Sequence, residues 1–170
     1  YLCKTAGLEP EQVKFIRVQE SDFPVKNRPI YMMNVAWLSA KTMTESMPKI
    51  AKTVDNILSM HRSEKGIIHT TSYSQLQFIK DSISKENRDR LLETGSNINR
   101  IEVLERHYSS NKPMVLISPS LHLGVDLKDD LSRFQIIVKV PYPDLTDKKI
   151  AAMRDRDQKW YTWSTVLRLV

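Results

Sequence analysis

Two groups of hydroxyl-bearing and acidic residues in this chain have the type and spacing to contact phosphate. The first lies between two uninterrupted apolar runs, residues 114–117 (MVLI) and 136–138 (IIV): Ser118 and Ser120 close the first run, and Gly124-Val125-Asp126 follow in the polar stretch before the second. A glycine lets the backbone approach a phosphate closely, and a carboxylate can hold a donor or a cation. The second group is Thr70-Thr71-Ser72-Tyr73, where an apolar run gives way to a helical pattern. Hydroxyls and the free N–H groups of a helix start suit a phosphate oxygen. A plain alternative stands beside each: Gly-Val-Asp is also what a tight turn contains, and Ser72 equally suits a helix N-cap.

The elements that must carry these groups alternate along the chain. Residues 13–18 and 29–35 read as early strands. Thr42-x-x-Glu45 resembles a capping box, after which Met47, Ile50, Ala51, Val54, Ile57 and Leu58 mark one helix face to about residue 62, with Pro48 early in it. Gly66 precedes a strand over 67–71, and the helix after Ser72 carries Leu76, Ile79 and Ile83 on one side. A polar helical piece at 85–92 and a short strand at 91–94 follow. Asn97 opens a helix with Ile98, Ile101, Leu104 and Tyr108 spaced for burial, and Trp160, Trp163, Leu167 and Val170 form one apolar stripe suited to a core. The runs at 114–117 and 136–138 suit strands buried on both faces, so strands separated by helices imply a parallel sheet covered on both sides. In such sheets ligands bind beyond the carboxyl ends of the strands, which is where both hydroxyl groups fall.

Three stretches carry a resemblance to a known family. Residues 118–161, with Ser118, Gly124-Val125-Asp126 and the corner Pro141-Tyr142-Pro143, resemble the fifth motif and its continuation in the XPD/DinG-type branch of superfamily-two DNA helicases. KGIIHTTSYSQLQF at 65–78 is similar to the family's fourth motif, and DFPVKNRPIY at 22–31 to the segment entering its second motor domain. Leu123 departs from the acid usual before the motif-five glycine. The resemblance spans nearly the whole chain and implies one RecA-like domain over residues 1–170, a three-layer α/β/α fold with a mostly parallel central sheet. It also implies an ATP-dependent DNA helicase of the DNA-repair kind. In such a motor Gly124 and Asp126 would face nucleotide, Asp126 by orienting a sixth-motif arginine, and Thr70, Thr71, Ser72, Tyr73, Ser118 and Ser120 would track single-stranded DNA. ATP and magnesium would be held mainly by a first motor domain, the partner this domain works against. Relatives often carry an iron–sulfur cluster in that other domain. The chain stops just before the place of the family's sixth motif, so it is expected to be a fragment without ATPase activity of its own.

Other chemistries find little support. The sequence has no Gly-x-x-x-x-Gly-Lys-[Ser/Thr], His-Glu-x-x-His, Cys-x-x-Cys or Gly-x-Ser-x-Gly, so no catalytic residue and no metal ligand is assigned. Asp129-Asp130 reads as a turn with solvated charges, the four histidines lack metal spacing, and the single Cys3 reads as a small buried hydrophobe. A composition of 41% hydrophobic and 27% charged residues over 170 is that of a globular domain, with no apolar run of membrane-spanning length and no signal peptide, so an intracellular protein is expected. Net charge +6 and a pI of about 9.4 favour an anionic partner, nucleic acid ahead of a membrane. The basic residues are scattered, however, and those at 148–156 alternate with acids as on a solvated helix face. A RecA-like module that binds nucleic acid or protein without hydrolysis is the alternative reading.

Overall fold

The computed structural model describes residues 3, 6–14, 16, 24–27, 29–39, 41–95, 99–121 and 125–167. These fall into two units, Tyr1–Met33 and Asn34–Val170. The first holds two single 3-10 turns, Pro10–Gln12 and Val25–Asn27, and Cys3 is buried as expected. The strand expected at 13–18 lies partly outside the described residues, and Val13, Lys14 and Ile16 are not in a strand. Residues 29–36 are not a strand either, and Ile30 and Met32 are almost wholly exposed. Apolar alternation marks a chain that could pair, but a strand exists only where a neighbour takes its backbone bonds.

In the second unit the longest described helix, α1 (Met43–Met60), buries Met47, Ile50, Ala51, Val54 and Leu58 of the stripe read from the sequence, while Ile57 is half-buried. The expected capping box does not form: Thr42 makes no cap bond, because its hydroxyl donates to the Trp37 carbonyl and accepts from the Ser39 N–H. Then follow β1 (Gly66–His69), α2 (Tyr73–Ser82), the single turn α3 (Lys85–Arg88), β2 (Leu91–Glu93), α4 (Arg100–Ser109), β3 (Val115–Ser118), β4 (Phe134–Ile137), α5 (Lys148–Arg156) and α6 (Gln158–Val166).

Among the described residues four strands form one all-parallel sheet in the order β2-β3-β1-β4. Successive residues of a strand point to opposite faces, so the sheet feeds two cores. Ile68, Val115 and Ile117 pack with α1 and α2 on one face. Ile67, Leu92 and Leu116 pack with Val103 and Leu104 of α4, and with Leu121, Val125 and Leu127, on the other. This is the α/β/α layering expected. Burial on both faces holds for β3 but not for β4, where Gln135 and Ile137 are exposed and which is an edge of the sheet among the described residues.

Two helix faces differ from expectation. In α4 the buried residues are Val103 and His107, while Ile101 and Tyr108 are exposed, and the N-cap is Asn99; Asn97 and Ile98 lie outside the described residues. In α6 the buried residues are Tyr161 and Thr165, and Trp163 is 54% exposed. Tyr161 decides that orientation: its hydroxyl donates to the Pro143 carbonyl (2.9 Å) and its ring stacks on Tyr142. The charged α5 buries none of its residues, as its mixed charges suggested, and Asp147 and Asp157 serve as the N-caps of α5 and α6.

Polar side chains tie the helices to the sheet. Arg90 donates to the carbonyls of Pro113, Leu58, His61 and Glu64 at 2.8–3.0 Å, joining the end of α1 to the start of β3. Asp55 of α1 accepts from the Ser84 N–H, the Ser84 hydroxyl and Asn87. Burial pushes the Asp55 carboxyl up, but the bonds from Asn87 and Ser84 together outweigh it and hold its pKa below the ordinary aspartate value.

Candidate functional site

The carboxyl edge of the sheet brings the two hydroxyl groups together. β1 and β3 are neighbours, and the Thr70 N–H donates to the Ser118 carbonyl at 3.0 Å. Residues far apart in sequence thus meet where parallel strands give way to loops.

At the second group, Thr70 to Tyr73, Ser72 caps α2, its Oγ accepting the Gln75 N–H at 3.3 Å. The buried Gln75 carbonyl oxygen in turn accepts both the Thr71 N–H and the Thr71 hydroxyl at 3.0 Å. This reciprocal pair fixes the entry to α2 and leaves Thr71 and Tyr73 exposed and Ser72 partly so. The helix carries its positive dipole end here, with first-turn N–H groups that have no acceptor within the helix.

Burial sorts the remaining hydroxyls. Thr70 is 5% exposed and Ser118 is 1% exposed, so neither side chain faces solvent. Both sit at the last rung of the sheet, where the core still covers them. Ser118 Oγ is a hub that accepts the N–H groups of Ser120 (3.0 Å) and Leu121 (3.2 Å), while Ser120 itself is exposed. The outward surface expected of all six positions therefore falls to Thr71, Ser72, Tyr73 and Ser120.

Beyond this turn, Gly124 lies outside the described residues, with His122 and Leu123. The Asp126 side chain is 74% exposed, and its nearest charge is Lys128 Nζ at 3.5 Å. An exposed pair of that length is weak, so the carboxylate remains open to a closer donor such as a guanidinium. Val125 and Leu127 on either side point back to the core, which fixes the alternation that turns Asp126 outward. The Asp129-Asp130 pair forms the solvated turn expected: it opens the 3-10 turn Asp129–Leu131, and Asp130 holds Arg133.

Under the same loop lies a cavity of about 390 Å³, lined by Ile67, His69, Leu121, Leu127 and Gln135. On the α4 side of the sheet His107 is fully buried, its Nε2 2.8 Å from the Leu131 carbonyl. Burial lowers its pKa, the Leu131 bond opposes this, and Lys65 adds to the lowering. Among the described residues no three His, Cys, Asp or Glu side chains stand close enough to hold a metal ion, and no helix is long and apolar enough to cross a membrane.

Sequence reasoning missed Gln75 and Thr94, the two buried side chains that hold the hydroxyl-bearing turns. Thr94 ended an expected short strand, so its place beside Ser118 required the strand order to be known.

Compared with known proteins, residues 55–169 match a family profile described as "Helicase C-terminal domain". The match runs from Asp55, in the last third of α1, through α6 and so contains the described sheet and both hydroxyl groups. No curated protein matches the chain significantly.

Proposed function

Because the chain belongs to the family of helicase C-terminal domains, those of XPD/DinG-type helicases, we propose that it forms one wall of an ATP cleft and part of a single-stranded DNA track in an ATP-dependent DNA helicase. The observation that carries this reading is the meeting of the α2 N-terminus with the Ser118–Ser120 turn at the carboxyl edge of β1 and β3. Thr71, Ser72, Tyr73 and Ser120 offer hydroxyls there, and the α2 dipole adds positive potential, which together suit the acceptor-only oxygens of a phosphodiester backbone. Such contacts fix position along a strand without reading bases.

The nucleotide side of the reading rests on Asp126 and Gly124. Asp126 is exposed, weakly paired and on a segment pinned by Val125 and Leu127, a fit for a carboxylate that orients an arginine toward phosphates. ATP with magnesium, held mainly by a first motor domain, supplies the phosphoanhydride whose hydrolysis drives the cycle. This chain supplies the fixed carboxylate on the opposite wall. Any iron–sulfur cluster would belong to that other domain. Closure of the two domains on nucleotide would then move the strand bound along the Ser120 and Thr71 surface.

Titrating the chain with a fluorescent oligothymidine at two salt concentrations tests the DNA side. Two or three phosphates neutralised by the scattered Lys and Arg of this chain would give a salt slope of about −1.4 to −2.1 on a single strand, so weak, salt-sensitive binding is expected. Tight binding that survives high salt would instead support a dedicated binding module. For the nucleotide side, Asp126→Asn in the protein carrying both motor domains should lower ATP turnover at saturating DNA with its melting temperature unchanged. Wild-type turnover would remove Asp126 from the cleft.

A further inference from the structure

We propose that Thr94 is a positioning residue: acting through Ser118, its hydroxyl sets the turn that presents the Ser120 hydroxyl as a donor to a phosphodiester oxygen. The proposal rests on the DNA-track reading above. Thr94 follows β2 directly, is 4% exposed, and its N–H donates to the Ile117 carbonyl at 3.3 Å, which continues the β2–β3 ladder by one rung. Its side chain thereby lands beside Ser118, and its hydroxyl donates to Ser118 Oγ. Three donors converge on that one oxygen: the Thr94 hydroxyl, the Ser120 N–H and the Leu121 N–H. That oxygen has two lone pairs: the adjacent Ser120 and Leu121 amides share one and the Thr94 hydroxyl takes the other, so its own proton must point to a further acceptor. The neighbour available to take it is Ser120 Oγ at 3.3 Å.

The polarity of the chain of hydroxyls follows. Thr94 donates to Ser118 and Ser118 donates to Ser120, so Ser120 receives a bond from the protein side and keeps its own proton for solvent or ligand. Donation along such a chain strengthens each successive donor. A phosphodiester oxygen only accepts, so a hydroxyl poised as a donor matches it and needs no reorientation on binding. Thr94 thus links the end of β2 to the contact surface at the end of β3. Replacing its hydroxyl with a methyl would put an apolar group against Ser118 Oγ and loosen the oxygen that caps residues 120 and 121.

The test uses the 170-residue chain, Thr94→Val, Thr94→Ser, Ser120→Ala and the Thr94→Val/Ser120→Ala double variant. Amide hydrogen exchange is read at Ser120 and Leu121, and oligothymidine affinity by fluorescence anisotropy, beside melting curves. Thr94→Val should speed exchange at those two amides at least tenfold and weaken binding about three- to tenfold, the range of one hydrogen bond. Thr94→Ser should restore both. The double variant should bind no worse than Ser120→Ala alone, since Thr94 acts through Ser120. Unchanged protection at Ser120 and Leu121 in Thr94→Val, or additive losses in the double variant, would overturn the proposal. Faster exchange with wild-type binding in Ser120→Ala would uphold the positioning role and remove Ser120 from the DNA track.

Discussion

Replacing Gly66 with alanine should destabilise this fold, although the usual effect of the change is the opposite. Gly66 opens β1 between Val115 and Phe134 in register, and its backbone is in a region open to any residue. At such a site alanine ordinarily stabilises by about 0.4–1 kcal/mol, through the lost freedom of the unfolded chain. Here the new Cβ would lie 2.5–2.6 Å from three atoms of the Phe134 ring. Carbon atoms pack at about 3.5–4.0 Å, so the ring must retreat by roughly 1 Å. It has little room, because it stacks on His61 with centroids 4.6 Å apart and packs against the α1 side of the core. Overpacking of this kind costs about 1–3 kcal/mol. For a chain of this length that lowers the melting temperature by about 2–12 °C. Urea and thermal unfolding followed by circular dichroism of Gly66→Ala, Phe134→Leu and the pair measure it. The double variant should recover most of the loss, giving a coupling above about 1 kcal/mol. A neutral or stabilised Gly66→Ala, or strictly additive losses, would refute the steric reasoning.

Two further outcomes are expected. Arg90→Lys should destabilise by about 1.5–3 kcal/mol in urea melts, because one ammonium cannot reach the four carbonyls that the planar guanidinium bridges. Asp55 titrates below its unfolded value in the folded state, so its stabilising effect is complete above the unfolded pKa and is lost as pH falls through the folded one. The urea midpoint of the natural chain should therefore exceed that of Asp55→Asn at pH 7, and the gap should close below about pH 4.

What could be read from the sequence was what single-segment patterns encode. The α1 stripe, the fully apolar β3 and the Ser72 cap each announce themselves within one turn or one strand, and each is found in place. Properties that depend on neighbours were not legible. The segment at 29–35 has strand composition but is not in a strand, and β4 has an apolar run yet stands at an edge of the sheet among the described residues. In α4 and α6 two stripes compete, and tertiary partners choose the one led by Val103 and His107 over Ile101, and Tyr161 over Trp163. The candidate site shows the same division. Hydroxyls at strand ends were visible, but whether the last rung is covered, as for Thr70 and Ser118, depends on the layers above the sheet. Asp147 and Asp157 stood where helix N-caps belong and could have been recognised from Asp at the start of a helical run.

The strand order also governs when this sheet can exist during synthesis. Gly66 pairs with Val115 on one side and Phe134 on the other, so β1, the first of the four described strands of this sheet, has no partner there until β3 has left the ribosome. Until then the apolar face of α1 has α2 to pack against but lacks the Val115 and Ile117 side chains that complete its cover. Contacts this distant in sequence also form slowly. Chains that end before residue 115 are therefore expected to aggregate on expression, read as loss from the supernatant after centrifugation, whatever the stability of the finished domain.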